Sequence, residues 1–256
     1  MRLKDKIAIV TGAGQGIGQA IAMRFAREGA HLAICDLNAA GVKKVSKDIE
    51  ALGRKCLWFE VDVSNTPKVE AMVKKTAQTF GRIDILVNNA GGSFNLPNKL
   101  EEVTDEVWDR VVDVNLKGAF ICARAVAPYM KKQKFGRIVN LSSKAGKYGG
   151  EMTGIQYSSS KAGVMGLTRQ LAKDLGPFNI TANAIAPGLA LSSPRVEKLW
   201  MERKTEDERQ ATLRAIPLRR LSTVDEQASV VFFLASDDAS YVSGVTIDVN
   251  GGWHTC

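Results

Sequence analysis

The sequence has little with which to build a metal centre or a cross-linked scaffold. Its 256 residues include two histidines, His31 and His254, and four scattered cysteines, Cys35, Cys56, Cys122 and Cys256. No cysteine pair has C-x-x-C spacing, and neither histidine neighbours a second ligand type. Free thiols in a reducing compartment and no protein-built metal site are therefore expected. Long apolar runs are also missing, since none approaches the roughly 18 residues that span a bilayer. The N-terminus alternates charge at Arg2, Lys4, Asp5 and Lys6, and the apolar run at 7–10 is too short for a secretory signal core. A cytoplasmic protein with no membrane partner is the expectation. The net charge of +8 comes from basic residues spread along the whole chain. Nucleic-acid binding calls for basic residues concentrated on one element with aromatics between them, so no nucleic-acid partner is expected. The excess means either attraction to an anionic ligand or a solvated surface.

What is present is alternation. Apolar, β-branched runs at 7–10, 31–35, 56–61, 83–87, 137–141, 180–185 and 245–249 read as strands, with helical patterns between them. Residues 17–27 are amphipathic. Thr66-Pro67 offers an N-cap with proline at the first helical position, followed by Val69, Met72, Val73, Thr76 and Phe80 on one face. Thr223 and Glu226 have capping-box spacing before Val230, Val231 and Leu234. Such alternation predicts an α/β fold, a doubly wound parallel sheet with helices on both faces. No linker or repeat interrupts it, so 1–256 reads as a single domain. One stretch, 189–220, shows mixed charge and no strand signal, and is expected to be a binding loop or lid.

The first strand runs into Thr11-Gly12-Ala13-Gly14-Gln15-Gly16-Ile17-Gly18. Glycines at such a turn let backbone approach a pyrophosphate held at the positive end of the following helix. A glycine-rich turn alone is weak evidence, but this one follows a strand and opens a helix. The second strand ends at Asp36, placed to accept hydrogen bonds from an adenosine ribose and to repel a 2′-phosphate. Opposite charges or like charges ~4 Å apart at an effective dielectric of ~20 interact by about 4 kcal/mol. No arginine follows to reverse the sign, position 15 is the neutral Gln15, and Lys43 and Lys44 lie too far along the next helix. NAD is the expected cofactor.

Tyr157 and Lys161 stand at i and i+4 within a stretch of helical spacing, which puts both on one face. Free tyrosine titrates near pH 10, and a neighbouring ammonium could lower that toward neutrality. Alone, the pair could equally be an accident of composition. It is accompanied by Gly136 through Ser143, a strand ending in hydroxyls. Asn88-Asn89-Ala90-Gly91 follows the fourth strand, Asn115-Leu116-Lys117-Gly118 lies in a helix, and Pro187-Gly188 follows the sixth strand. In this order the set resembles the short-chain dehydrogenase/reductase family, from Thr11 to the closing Val249-Asn250-Gly251-Gly252.

The resemblance implies a Rossmann-type domain of seven strands and an active site. Tyr157 would exchange a proton with the substrate oxygen, and Ser143, rather than Ser142, would hydrogen-bond that oxygen. Lys161 would hold the nicotinamide ribose and lower the tyrosine's pKa. Asn115 would anchor a water joining Lys161 to solvent. Gly12, Gln15, Gly16, Ile17 and Gly18 would carry the pyrophosphate, with Asp36 at the ribose and Asp62 and Val63 at the adenine. The span 88–91, including Asn89, Ala90 and Gly91, would line the cofactor, and 185–188, ending in Pro187 and Gly188, would sit against the nicotinamide. Ser192 stands where relatives often carry threonine. The segment from Ser143 to Tyr157, holding Lys144, Lys147, Gly149, Gly150 and Glu151, looks about one residue long, which puts the pocket's shape in question. Homotetramers are implied, built on the Tyr157 helix and the last strand. Whether the final four residues, Trp253 to Cys256, reach a neighbouring subunit's site is left open by the sequence.

Residues 195–220 hold eight basic and five acidic side chains, net +3. They form either a solvated lid or a grip, with Lys144 and Lys147, on an acidic group of the substrate. The leading reading is an NAD-linked alcohol dehydrogenase acting on a secondary alcohol/ketone pair, the alcohol being a simple secondary or a polyol-type one. The alternatives are an NADPH-dependent 3-oxoacyl reductase and a non-catalytic NAD-binding sensor. Asp36 speaks against the first alternative and the intact Ser143, Tyr157 and Lys161 against the second.

Overall fold

The apolar runs assemble into one parallel sheet. The computed structural model describes residues 1–94, 96–150 and 152–254. In chain order the elements are β1 (Ile7–Thr11), α1 (Gly16–Arg27), β2 (His31–Asp36), α2 (Ala39–Ala51), β3 (Cys56–Glu60), α3 (Thr66–Phe80), β4 (Ile85–Asn88), α4 (Asp105–Val112), α5 (Gly118–Gln133), β5 (Gly136–Leu141), α6 (Ala145–Tyr148), α7 (Ile155–Leu175), β6 (Ile180–Pro187), α8 (Pro194–Glu202), α9 (Glu206–Ala215), α10 (Val224–Ala235) and β7 (Thr246–Val249). The strand order is β3-β2-β1-β4-β5-β6-β7, with every neighbouring pair parallel. The seven expected strands and the doubly wound topology are all there.

Strands covered on both faces must be apolar on both faces, which is why β1 reads Ile-Ala-Ile-Val without alternation. Its side chains nevertheless divide. Ala8 and Val10 enter a core with Ile21 and Phe25 of α1 and Val231 and Phe232 of α10. Ile9 enters the opposite core with Met72 and Val73 of α3 and Ile121 and Val126 of α5. Winding reverses between β1 and β4, and at that reversal the loops leaving the carboxyl ends part to leave a crevice.

Three local expectations change. The cap of α3 is Asn65, whose side chain accepts from Lys68 N, so Thr66 and Pro67 are already helical. A side-chain amide oxygen one residue earlier serves the same orphan N–H groups. Residues 189–220 are not irregular, because α8 and α9 occupy most of them. Ser193 caps α8 ahead of Pro194, and Thr205 with Glu208 forms a full capping box on α9. The Thr223–Glu226 box on α10 forms as expected. Third, Asn115 lies in a π-helical turn, Asp113–Lys117, joining α4 to α5. Such turns are rare and concentrate at functional sites.

Candidate active site

The carboxyl ends of the central strands open onto a cavity of about 460 Å³. At one end lies the glycine turn. Gly12 and Gly16 have φ of 64° and 60°, which L side chains rarely adopt. A Cβ on Gly12 would stand 2.8 Å from Ala90 Cα, one on Gly16 2.5 Å from the Ser192 carbonyl oxygen, and one on Gly18 would strike the Gly12 carbonyl. The turn is tied down from β4. Asn89 Nδ2 donates to the Thr11 and Gly12 carbonyls, both at 2.9 Å. Thr11 Oγ1 accepts from Asn89 N and Ala90 N, both at 3.0 Å. Gln15 precedes α1 without capping it, and no acid occupies its first turn. That leaves the helix's first N–H groups without a side-chain partner, a donor set suited to a phosphate.

Asp36, at the end of β2, lines the same cavity. Its Oδ2 accepts from Gly14 N and its Oδ1 from Asn38 N, each at 2.9 Å, which fixes the carboxylate in place. Asp62 and Val63 line the cavity nearby, and Asp62 Oδ1 accepts from Ser64 N and Oγ at 2.9 and 2.7 Å. Gly12, Gln15, Gly16, Ile17, Gly18, Asn89, Ala90, Gly91, Pro187, Gly188 and Ser192 are all at its wall. Glycines packed too closely for a Cβ, uncapped helix donors and a fixed carboxylate together fit a dinucleotide. Three expected lining positions are elsewhere. Asn88 turns inward, Nδ2 donating to Asn140 Oδ1 at 2.8 Å and to the Ala119 carbonyl at 3.2 Å. Ile185 belongs to the hydrophobic core, and Ala186, next to it in β6, is fully buried.

At the other end, Ser143, Tyr157 and Lys161 share the wall. Ser142 Oγ donates to the Lys161 carbonyl at 2.7 Å, which fastens β5 to α7 and leaves Ser143 Oγ as the hydroxyl facing the site. Ser143 hydrogen-bonds Tyr157. Lys161 Nζ stands 5.7 Å from the Tyr157 ring centre and donates to the Leu141 carbonyl at 2.8 Å. Burial pushes the Lys161 ammonium down to about 8. The same burial pushes the Tyr157 phenol up, opposed by its bond to Ser143. The expected lowering of the tyrosine by Lys161 is not found, because desolvation outweighs an ammonium directed at a backbone carbonyl.

Asn115 is buried but does not reach the cavity wall. Its Oδ1 accepts from Gly92 N at 3.0 Å, and its Nδ2 donates to the Gly92 and Val111 carbonyls at 2.9 and 2.8 Å. A Cβ on Gly91 would strike Asn115 Oδ1 and come within 3.3 Å of Lys161 Nζ, so Gly91 lies between the two side chains. Asn115 thus positions the 91–92 backbone.

The cationic residues separate into two groups. Arg195, Arg203, Lys204 and Lys144 line the cavity, whereas Lys147 does not and pairs with Asp248 at 2.7 Å. Lys198, Arg209 and Arg220 pair with Glu202, Glu206 and Glu226, and Arg219 donates to the Arg214 carbonyl. Lys43 and Lys44 are absent from the wall. Trp253 also lines the cavity, with Met152, Val196, Leu199 and Trp200. Sequence reasoning singled out none of Met152, Val196, Leu199 and Trp200, and named Trp253 only as part of the closing segment, since a lone tryptophan after Gly251-Gly252 carries no motif. Thr255, Cys256 and Glu151 lie outside the described residues. Among the described residues no cluster of three or more His, Cys, Asp or Glu is placed to hold a metal, and no helix is long and apolar enough to cross a membrane.

Comparison with known proteins agrees with this geometry. Residues 12–254 match the family model described as enoyl-(acyl carrier protein) reductase. The chain is 42% identical over 252 residues to the 3-oxoacyl-[acyl-carrier-protein] reductase FabG of Thermotoga maritima, covering 98% of this chain and 99% of that one. It is 40% identical to the (2S)-[(R)-hydroxy(phenyl)methyl]succinyl-CoA dehydrogenase subunit BbsD of Thauera aromatica, covering 98% of each. Among solved structures, NAD+-bound xylitol dehydrogenase superposes with a TM-score of 0.93 at 32% identity, covering 98% of this chain and 100% of that one.

Proposed function

The chain belongs to the short-chain dehydrogenase/reductase family and is an oxidoreductase; from that premise we propose that it uses NAD to interconvert a secondary alcohol and its ketone. The observation carrying the cofactor choice is Asp36, half-buried at the cavity wall and held by two backbone N–H groups. A carboxylate fixed there accepts ribose hydroxyls and repels a 2′-phosphate, while among the described residues no Lys or Arg forms an ion pair with it that would invert that preference. Bound nicotinamide would supply or take up the hydride.

The chain's own residues handle the oxygen and its proton. Ser143 and the Tyr157 hydroxyl are hydrogen-bonded to each other on the cavity wall, where a bound carbonyl oxygen would accept from both. Burial keeps Tyr157 protonated at neutral pH, so its proton is in place for carbonyl reduction, and loss of that proton favours alcohol oxidation as pH rises. Lys161 supplies a buried ammonium beside the ring and a donor for a ribose hydroxyl. Asn115 holds the Gly91–Gly92 backbone against Lys161 and would anchor the water leading from it to solvent. Residues 189–220 act as the substrate lid. Arg195, exposed on the first turn of α8, is the cation there best placed to meet an acidic group on the substrate. Tyr241, fully exposed, and Val245 lie beside β7 and suit an apolar contact in a homotetramer.

The second reading is an NADPH-dependent 3-oxoacyl reductase, favoured by the 42% identical relative of that name. Absorbance at 340 nm separates the two when secondary alcohols and 3-oxoacyl thioesters are supplied with each cofactor. NAD-dependent turnover that vanishes in Tyr157→Phe supports the first reading. NADPH-dependent turnover with NADH inert overturns it.

A further inference from the structure

We propose that the segment 250–254 is a wall of this chain's own substrate pocket, that Trp253 is a specificity-determining residue, and that the pocket takes a ketone or alcohol with an apolar body rather than a polyol. The proposal rests on the reading of Ser143 and Tyr157 as the groups that bind the substrate oxygen.

The tail is held by its own turn. Gly251 and Gly252 take φ of 66° and 80°. Asn250 Oδ1 accepts from Gly252 N at 3.0 Å, and its Nδ2 donates to the His254 carbonyl at 2.9 Å. Trp253 N donates to the Asn250 carbonyl at 3.2 Å. This turn brings the chain back across the carboxyl edge of the sheet onto α6, the element that follows Ser143. There Lys144 Nζ lies 3.2 Å from the centre of the Trp253 ring and 3.2 Å from His254 Nε2. The Tyr148 ring stacks on His254 at 4.4 Å and 18°. Lys144 is itself anchored, its N–H donating to the Pro187 carbonyl at 2.9 Å. An ammonium over an indole face is an attractive contact, and it fixes the ring's orientation. Lys144 therefore serves as a clasp for the tail.

The walls around Trp253 set the chemistry. Met152, Val196, Leu199 and Trp200 line the same cavity as Ser143, Tyr157 and Trp253. A hydroxyl desolvated against these apolar side chains loses its water partners and gains none from them, so a polyol hydroxyl that meets this part of the wall is penalised. An alkyl or aryl substituent is instead favoured by burial. Specificity follows from a wall that the sheet does not need in order to fold.

The test compares wild type, Trp253→Ala, Trp253→Phe and Lys144→Met as full-length chains. Aryl and alkyl ketones and a pentitol series are assayed with the matching cofactor. In parallel, calorimetry follows an apolar carboxamide, a non-reducible ketone mimic, binding to the NADH complex, so that a result is obtained even where turnover is slow. Trp253→Ala is expected to weaken apolar ketones and the carboxamide by about tenfold or more, as for loss of a hydrophobic pocket contact. NADH affinity should stay within about twofold, which also reports an intact fold, and Trp253→Phe should restore most of the loss. Lys144→Met should give a smaller loss of the same kind. Pentitols preferred over apolar ketones, or carboxamide binding absent or unchanged in Trp253→Ala, would overturn the proposal. Turnover that survives Tyr157→Phe would instead overturn the underlying catalytic reading.

Discussion

The two ends of the cavity are built by different means. At the glycine turn, polar side chains are spent on backbone: Asn89 on Thr11 and Gly12, Asp36 on Gly14 and Asn38, Asn115 on Gly92 and Val111. At the lid and tail, contacts between side chains stand beside such backbone bonds, as in Lys198–Glu202, Arg209–Glu206 and Lys144 on Trp253. The first arrangement fixes backbone atoms that cannot be moved without disturbing β1 and β4. The second can be rewritten residue by residue while the sheet stays as it is. One scaffold can therefore keep its cofactor chemistry and change its substrate.

Substitutions sharpen this contrast, the largest effect first. Tyr157→Phe should lower kcat by about 10²–10⁴-fold, the range for losing a general acid, and leave NAD affinity unchanged by calorimetry. Unaltered kcat would take the tyrosine out of the chemistry. Gly18→Ala drives a methyl into the Gly12 carbonyl. It should cost about 1–3 kcal/mol of stability as overpacking, seen as a lower urea midpoint, together with loss of NAD binding.

Lys161 gives a pH signature. Its pKa is about 8 in the folded chain against 10.5 ordinarily, so the folded state binds fewer protons between those values. Stability of the ligand-free protein should rise with pH across that window, by at most about 1.4 kcal/mol per unit. Above pH 10 the raised Tyr157 pKa works in the opposite sense, because the fold then retains a proton that the unfolded chain releases. Urea midpoints from pH 8 to 9.5 should climb in wild type and stay flatter in Lys161→Met. At the lid end effects shrink. Arg195→Gln should raise KM about tenfold for an acidic substrate only, and equal effects on a neutral substrate would remove it from recognition. Lys198→Ala, breaking an exposed pair with Glu202, should shift Tm by less than about 2 °C.

The same contrast decides what could be read from the sequence. The strands, the glycine turn and Asp36 were legible because backbone geometry demands particular residue types at fixed spacing, whereas Ser143, Tyr157 and Lys161 were picked out by the family resemblance, and the fold brings the three to one cavity wall. The helices α8 and α9 carried readable signals as well: Ser193-Pro194 and Thr205 with Glu208 match the cap at Thr223 and Glu226. Their mixed charge obscured those signals, since an exposed lid helix needs only a narrow apolar stripe. Asn88, Ile185 and Ala186 were misplaced because they still lie within strands covered on both faces, and the cavity wall begins with the residues that follow them, Asn89 and Pro187. The raised Tyr157 pKa and the role of Trp253 depend on burial and on contacts between distant segments, which spacing does not encode.

The central claim is that Asp36 makes this an NAD enzyme. Its most direct test is the dissociation constants of NAD+ and NADP+ for wild type and Asp36→Ala, measured by calorimetry. The account predicts that wild type prefers NAD+ by about 10²-fold or more, as expected for a carboxylate facing a phosphate, and that the preference largely disappears in the variant. Equal or tighter NADP+ binding by wild type would contradict it and make the NADPH-dependent reductase the better reading.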